Sequence, residues 1–252
     1  MPKLWEIAET LNAAYPFEDA CGYDNVGLLV GRKDREIKRV LIALDVTFAV
    51  LEEAIRERAD LILSHHPVIF REIKKVTDES YTGAILLRLI EGKIAAIALH
   101  TNFDRGEEGN NDLLARTLGA GAYEKIEEGF ATEFDLSKVM PLASFAKQVK
   151  ETLGDAVVRV VGEGSVKKVI ASCGAGIGES LILRAKEKDA VIVTADVKHN
   201  YASMAKDLGV RVVETTHFAS EWGFTERIKE FMAEKFDGVE LLVSKENINP
   251  YD

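Results

Sequence analysis

An apolar stretch that runs into two adjacent histidines and a proline is the feature that most constrains the fold. Residues 61–64 read Leu-Ile-Leu-Ser and are followed by His65, His66 and Pro67. The apolar run predicts a buried strand, and the proline, which cannot donate to a sheet ladder, marks the exit from it. Pro67 also favours an extended conformation at His66. Both imidazoles are therefore expected at the carboxyl end of a strand, where open α/β sheets bind their ligands.

Alone, the pair fits a ligand site and the combination of one buried structural and one surface histidine equally well. The other histidines decide between these two interpretations. His100, His199 and His217 also lie at or just past the end of a predicted strand, and the first and last of them have an acid four positions later. Imidazole nitrogens and carboxylate oxygens are ligands of Zn, Fe, Mn, Co and Ni. The pattern predicts a site for two divalent metal ions with a bridging carboxylate. The candidate ligands are His65, His66, His100, Asp104, His217 and Glu221.

Composition excludes several other classes of protein. The chain of 252 residues is 47% hydrophobic and 29% charged, which is typical of a globular protein that buries a full core. A net charge of −10 argues against a nucleic-acid partner bound by general electrostatics. Cys21 and Cys173 are far apart and indicate neither a disulfide framework nor a thiolate metal site. The amino terminus predicts an amphipathic helix rather than a signal peptide, and no apolar run reaches the ~20 residues of a membrane span. We therefore expect a cytoplasmic protein.

Strands and helices alternate along most of the chain, and the pattern occurs twice. An offset of 129 positions relates Lys38 to Lys167 and Asp60 to Asp189. An offset of 117 relates the His100–Asp104 pair to the His217–Glu221 pair. We predict an α/β protein of two similar units related by internal duplication, layered α/β/α with mostly parallel sheets. The predicted units are residues 1–121 and 122–252, with a C-terminal strand at 239–244 that can return to the first sheet.

A pseudo-twofold axis is expected to bring the two His-x3-acid motifs together over one cleft. The alternative is a chance likeness of two ordinary α/β halves.

Two further segments leave alternatives open. Residues 174–178 read Gly-Ala-Gly-Ile-Gly at a strand-to-helix turn, which can hold a phosphate on backbone N–H groups. A dinucleotide fingerprint requires a glycine at position 179, where Glu179 stands, so a tight turn of small residues is the better interpretation. His199 is a candidate catalytic residue as an outer ligand or proton carrier, and equally a loop histidine without chemistry.

The chain resembles the Nif-three-like family, whose bacterial members are catalogued as GTP cyclohydrolase I type 2 homologues. The resemblance runs nearly end to end. Its motifs are Tyr-Asp-Asn-Val-Gly-Leu (23–28), Ser-His-His-Pro (64–67), His-Thr-Asn-Phe-Asp (100–104), Thr-Ala-Asp-Val-Lys-His (194–199) and Thr-His-Phe-Ala-Ser-Glu (216–221). It implies a duplicated α/β protein that assembles into a toroidal homohexamer with a dinuclear metal centre in each subunit. The metal ligands that it implies are His65, His66, Asp104, His217 and Glu221. His100 is then placed beside the metals, as a candidate general acid or base.

Three functions follow as hypotheses. The first is a metal-dependent hydrolase of the GTP cyclohydrolase type, in which a metal-activated water opens the guanine ring and His100 moves protons. The second is a metal-dependent phosphoesterase, for which paired metals are equally suited. The third is a non-catalytic metal-binding or regulatory ring protein. The expected partner is a small-molecule substrate, with a nucleotide as one candidate.

Overall fold

Two mixed sheets organise the chain in the computed structural model, which describes residues 1–246 and 249–251. The strands are β1 (Gly27–Val30), β2 (Arg39–Ala43), β3 (Leu61–Ser64), β4 (Ala95–Ala98), β5 (Glu124–Ile126), β6 (Ala131–Pro141), β7 (Arg159–Val161), β8 (Ser165–Ala171), β9 (Ala190–Thr194), β10 (Arg211–Glu214) and β11 (Glu240–Val243). The α-helices are α1 (Leu4–Ala14), α2 (Phe48–Arg56), α3 (Tyr81–Glu91), α4 (Thr101–Arg105), α5 (Asn110–Thr117), α6 (Leu142–Leu153), α7 (Glu179–Lys188), α8 (His199–Asp207), α9 (His217–Glu221) and α10 (Gly223–Lys235).

The chain divides into two compact units that are not simply its first and second halves. Unit 1 comprises Met1–Phe103 and Phe224–Ile248, and unit 2 comprises Asp104–Gly223 and Asn249–Asp252. The predicted units, residues 1–121 and 122–252, stay a prediction. The observed division passes through α4, and most of α10 together with β11 belongs to unit 1.

The sheet of unit 1 has the strand order β1-β4-β3-β2-β11. Its pairings are parallel except for the edge strand β1, which runs antiparallel to β4. The residues of β3 and β4 are all buried, as expected for parallel strands covered on both faces. Because β2, β3 and β4 run in the same direction, the residues that follow them lie at one edge of the sheet.

The sheet of unit 2 has the order β5-β6-β8-β9-β10-β7 and is more strongly mixed than predicted. Only the β8–β9 and β9–β10 pairings are parallel. The pairings β5–β6, β6–β8 and β10–β7 are antiparallel. The prediction of a mostly parallel second sheet is therefore wrong. The connection between β5 and β6 is a single 3₁₀ turn at Glu127–Gly129, and so short a link joins only antiparallel strands.

A common strand order supports the predicted duplication, which stays a prediction. The order β1-β4-β3-β2 in unit 1 corresponds to β7-β10-β9-β8 in unit 2. In both sets the first pairing is antiparallel and the other two are parallel. The units differ outside this set, since unit 1 adds β11 beside β2 and unit 2 adds β6 and β5 beside β8.

The helices alternate with the strands over most of the chain, as predicted. The one-turn helices α4 and α9 contain the acids of both His-x3-acid motifs, where sequence analysis placed only strand ends. Within the described residues, no helix combines the length and the apolar composition needed to cross a membrane.

A buried carboxylate fixes the chain just before α9. Asp155 accepts hydrogen bonds from the Thr215 hydroxyl and from the Thr216 backbone N–H, the latter at 2.7 Å. Burial alone would raise the pKa of Asp155, but these hydrogen bonds hold it below its usual value. Because the folded pKa lies below the unfolded value of about 3.9, the stabilisation is present above that pH and is lost as the pH falls through the folded pKa.

We therefore expect Asp155→Ala to lower the free energy of unfolding by about 2 kcal/mol at pH 7, the range for hydrogen bonds to a charged group. Urea denaturation at pH 7 and pH 3 measures the effect, which should shrink at the lower pH. The control is Asp207→Ala, since the Asp207 side chain is exposed at the end of α8. A loss at Asp155 that stays constant from pH 7 to pH 3 would contradict the assigned cause.

Candidate metal-binding clusters

Three histidines of unit 1 meet at the carboxyl edge of its parallel strands. His65 and His66 follow β3, and His100 follows β4. One ring nitrogen from each residue lies within 4.8 Å of one from each of the others. The predicted His65–His66 pair is thus placed at a strand end, as expected, and His100 joins it. Three imidazole nitrogens at such separations are a donor set that Zn²⁺ and related cations use.

A backbone carbonyl orients the His65 ring. Its side chain is fully buried, and Nδ1 lies 2.7 Å from the carbonyl oxygen of Leu99. A carbonyl oxygen only accepts hydrogen bonds, so Nδ1 carries the proton and the neutral ring has its lone pair on Nε2. Phe224 packs against the ring with centroids 5.1 Å apart.

His66 and His100 are oriented in the same way, but by carboxylates. The Nδ1 atom of His66 lies 2.7 Å from Asp45 Oδ1, and that of His100 lies 2.8 Å from Asp24 Oδ1. A carboxylate that accepts the Nδ1 proton fixes the ring orientation and makes Nε2 more basic. Such carboxylate–histidine pairs are a common feature of metal sites in proteins.

Asp24 is a buried anion stabilised by several donors. Burial of its carboxylate would raise the pKa, but hydrogen bonds from His100 and Thr101 and the adjacent Asn25 backbone N–H lower it to about 2. The side chain is fully shielded from solvent. Asp24 therefore remains an acceptor at any physiological pH and keeps His100 in one orientation. The sequence analysis missed Asp24 in this role, although it lies in the quoted 23–28 motif.

The His-x3-acid motif of unit 2 forms one turn of helix. His217 begins α9 and Glu221 ends it, so the four-residue spacing places both side chains on one helix face. Nε2 of His217 lies 3.0 Å from Glu221 Oε2. The Thr216 hydroxyl caps this helix by accepting from the Ala219 backbone N–H.

The opposite nitrogen of His217 faces a second carboxylate. Nδ1 lies 2.7 Å from Asp196 Oδ2, and Asp196 has the left-handed backbone conformation, with φ of 48°. With the proton on Nδ1, the Nε2 lone pair of the neutral ring points at a carboxylate oxygen of Glu221, which is repulsive. A cation held by both atoms removes this repulsion. Asp196 lies in the quoted 194–199 motif, and its orienting role was not predicted from the sequence.

Asp104 and Glu221 bring two buried carboxylates together in unit 2. The side chains are 8% and 2% exposed, and one oxygen of each lies within 4.8 Å of one of the other. Two anions at this separation in a buried environment favour a bound cation or a shared proton. Asn110 donates a hydrogen bond of 2.9 Å to Asp104 Oδ1. Burial, together with Asp104 and Glu221, raises the pKa of the Cys173 thiol well above its usual value, so it remains protonated.

Gly174 lets the donors of unit 2 approach the backbone. A Cβ atom there would overlap Glu221 Oε1 and lie 3.2 Å from His217 Nε2. Its φ of 55° is also a conformation that side chains disfavour. The glycine-rich turn that sequence analysis weighed as a phosphate loop thus makes room for the two metal-ligand candidates.

His199 is separate from these contacts. It is the exposed first residue of α8, and the described part of the chain gives it no hydrogen bond to Asp196 or His217. Its predicted roles as an outer ligand or proton carrier stay predictions.

Asp45 and Asp196 orient one histidine each in the two clusters, which are His65, His66 and His100 in unit 1 and Asp104, His217 and Glu221 in unit 2. Changing these two carboxylates tests both clusters directly. We expect Asp45→Asn and Asp196→Asn each to lower Zn²⁺ affinity by roughly 10- to 100-fold, because an amide no longer enforces the Nδ1-protonated tautomer. Competition with a chromophoric chelator measures the affinity, and circular dichroism monitors folding. Asp34→Asn changes an exposed acid outside both clusters and should leave the affinity unchanged. Equal affinities for all three variants would exclude metal binding through these histidines.

Comparisons with known proteins agree with the fold and with the predicted family. The Duf34/NIF3 (NGG1p interacting factor 3) family matches residues 2–250. A GTP cyclohydrolase 1 type 2 homolog of Clostridium perfringens is 33% identical over 260 residues, covering 99% of both chains. A protein of Helicobacter pylori named GTP cyclohydrolase 1 type 2 is 33% identical over 237 residues, covering 92% of both chains.

Solved structures extend the likeness to three dimensions. A hypothetical protein of Staphylococcus aureus superimposes with a TM-score of 0.88 at 29% identity, over 99% of this chain and 98% of that one. The reduced form of HcgD from Methanocaldococcus jannaschii gives a TM-score of 0.85 at 28% identity, over 97% and 98% of the respective chains. The resemblance found in the sequence motifs is thereby confirmed, and the chain belongs to the Duf34/NIF3 family.

Proposed function

We propose that the protein is a metal-dependent hydrolase of the GTP cyclohydrolase type, which opens the guanine ring of a nucleotide. The names of the Clostridium and Helicobacter relatives support the reaction class. The donor clusters of the two units support the dependence on metal.

The observation that carries the proposal is that four imidazoles face oxygen acceptors with the same ring nitrogen. In His65, His66, His100 and His217 the Nδ1 atom lies 2.7–2.8 Å from an oxygen acceptor. In the Nδ1-protonated tautomer of each neutral ring, the lone pair is on Nε2. Metal-ligating histidines commonly donate their other ring N–H to a carboxylate or a backbone carbonyl in this way. The residues present thus fit divalent cations.

We propose His65, His66, Asp104, His217 and Glu221 as ligands of two divalent ions, with Zn, Fe, Mn, Co and Ni as the candidates. The mixed nitrogen and oxygen donors suit all five metals. When bound, such ions supply Lewis acidity that brings the pKa of water toward neutrality. The chain itself supplies neutral imidazoles, buried carboxylates, and the acceptors that hold the rings in place.

His100 is the proposed proton-transfer residue. Its side chain is 15% exposed, whereas His65 is fully buried, so His100 has the better access to a substrate. Asp24 fixes its orientation and would stabilise the protonated ring after the transfer. His199, which is exposed, is the second candidate for this role.

Turnover of GTP tests the reaction class. Protein loaded separately with each of the five metals should convert GTP to a formylated or pterin-type product that mass spectrometry detects. Chelation should abolish the product and addition of metal should restore it. Release of inorganic phosphate without ring opening would instead support the phosphoesterase. Metal uptake without any product would support the non-catalytic metal-binding protein.

Ligand variants test the proposed site. We expect His65→Ala and Glu221→Ala each to reduce the bound metal by at least one ion per chain and turnover by roughly 100-fold or more, because each removes a ligand. Elemental analysis and anomalous scattering from crystals report the number of ions and their ligands. Arg58 is exposed and outside both clusters, so Arg58→Lys serves as the control and should keep full metal content. Unchanged metal content in Asp104→Ala or Glu221→Ala would overturn the assignment.

The role of His100 is separable from that of a ligand. We expect His100→Gln to retain its metal and to lower kcat by about 10²- to 10⁴-fold, as for the loss of a general acid or base. The pH profile of the residual activity should lose one limb. If the variant loses a metal ion instead, His100 is a ligand.

We also propose the homo-oligomeric state that the family resemblance implies, a toroidal hexamer. Native mass spectrometry tests it directly. A mass of six chains is expected, and a monomer at micromolar concentration would rule the ring out.

A further inference from the structure

A cavity of about 420 Å³ opens beside His66 in unit 1. Its walls come from the chain between β2 and α2, the segment after Pro67, and the first turn of α3. The volume lies in the range of small-molecule pockets. His66 and Asp45 line it, so the cavity borders the histidine cluster, but its other walls have no part in the contacts described above.

Aromatic rings stand exposed at this cavity. Phe70 and Tyr81 line it and are 41% and 59% exposed. Phe48 supports Tyr81 edge-on at 5.1 Å, and Phe70 lies 5.9 Å from the His100 ring. Aromatic surface that the fold leaves uncovered beside a cavity is suited to contact with a planar ring of a ligand.

The positive charge of Arg71 favours an anion at one wall of the cavity. Arg71 lines the wall and is exposed, and it forms no ion pair with any described residue. A guanidinium pairs with phosphate or carboxylate through two parallel hydrogen bonds. Two acids also line the cavity and oppose an anion: Asp45, which accepts a hydrogen bond from His66, and Glu72, which is next to Arg71 in the chain. The amino-terminal ends of α2 and α3 are at the cavity as well, and helix amino termini favour negative charge.

We propose that this cavity selects the substrate by binding a planar aromatic ring that carries an anionic group. Phe70 and Tyr81 contact the ring, and Arg71 pairs with the anion. Phe70, Arg71 and Tyr81 are therefore specificity-determining residues. The choice of a nucleotide as the ligand rests on the proposed function, but binding at this cavity does not require turnover.

Opposite charge changes at neighbouring positions test the anion site. Equilibrium dialysis with labelled GTP at low temperature measures Kd for the metal-loaded protein and again after chelation. We expect Arg71→Ala to weaken GTP binding by about tenfold or more, the loss of a charge-assisted pair. Glu72→Ala should tighten binding by about two- to fivefold, since it removes the opposing charge. Arg32→Ala removes the same charge from an exposed arginine outside this cavity and should leave Kd within twofold.

An unchanged Kd in Arg71→Ala, or a weaker one in Glu72→Ala, would overturn the anion site. Absence of GTP binding to the unmodified protein would overturn the whole proposal.

Partial ligands test the aromatic contact. Guanosine and tripolyphosphate should each displace labelled GTP more weakly than GTP itself. We expect Phe70→Leu and Tyr81→Leu to weaken guanosine binding by about fivefold or more, the scale of one stacked ring, and to leave tripolyphosphate unchanged. Equal losses for both ligands, or none for guanosine, would contradict ring contact at these positions.

The outcomes separate this inference from the proposed function. If GTP binds with the predicted dependence on Arg71 but is never opened, the cavity assignment stands and the cyclohydrolase proposal falls. If GTP is opened while Arg71→Ala leaves its Kd unchanged, the function stands and the cavity assignment falls.

Discussion

Hydrogen bonds from histidine Nδ1 atoms to fixed oxygen acceptors are the interaction on which both clusters depend. A free imidazole in water exchanges between two tautomers, and only one of them presents Nε2 as a donor to a metal. The acceptors remove that freedom before any ligand arrives. His65 uses the Leu99 carbonyl, whereas His66, His100 and His217 use carboxylates. A carbonyl is neutral and a carboxylate is charged, so the histidines of one cluster are not equivalent.

The two buried acids of unit 2 carry an energetic cost, because their charges are removed from water. Asp104 and Glu221 are almost fully shielded, and burying two such charges without compensation costs several kcal/mol per ion. Asn110 and the Cys173 thiol provide hydrogen bonds to Asp104, and Cys173 does so as a neutral group because its pKa is raised. These dipoles offset part of the cost, and a divalent cation would offset the rest. The arrangement is therefore less stable without a cation than with one, which links metal binding to the stability of unit 2.

The sequence predicted what depends on local pattern and missed what depends on contacts between distant segments. The strands at 61–64 and 190–194 follow from their apolar runs, and the candidate donors follow from the placement of the histidines. The orienting role of Asp24 could not be predicted, because it needs β1 to return beside β4 and bring residue 24 to His100. The sheet of unit 2 was predicted as mostly parallel because periodicity marks a strand without its direction. A His-x3-acid spacing also fits one helix turn, and α9 adopts that conformation.

The shared strand order gives the predicted duplication a specific consequence for the chemistry. In the matched set, β3 of unit 1 corresponds to β9 of unit 2. The chain after β3 supplies His65 and His66, which are donors, while the chain after β9 supplies Asp196, which orients a donor. The chain after β2 supplies the orienting Asp45, while the chain after β8 supplies Cys173 and Gly174. The carboxyl ends of the matched parallel strands are thus followed by imidazole donors in unit 1 and mainly by carboxylate donors in unit 2. Imidazole and carboxylate differ in charge, so a cation held mainly by imidazoles and a cation held mainly by carboxylates would be selected by different properties.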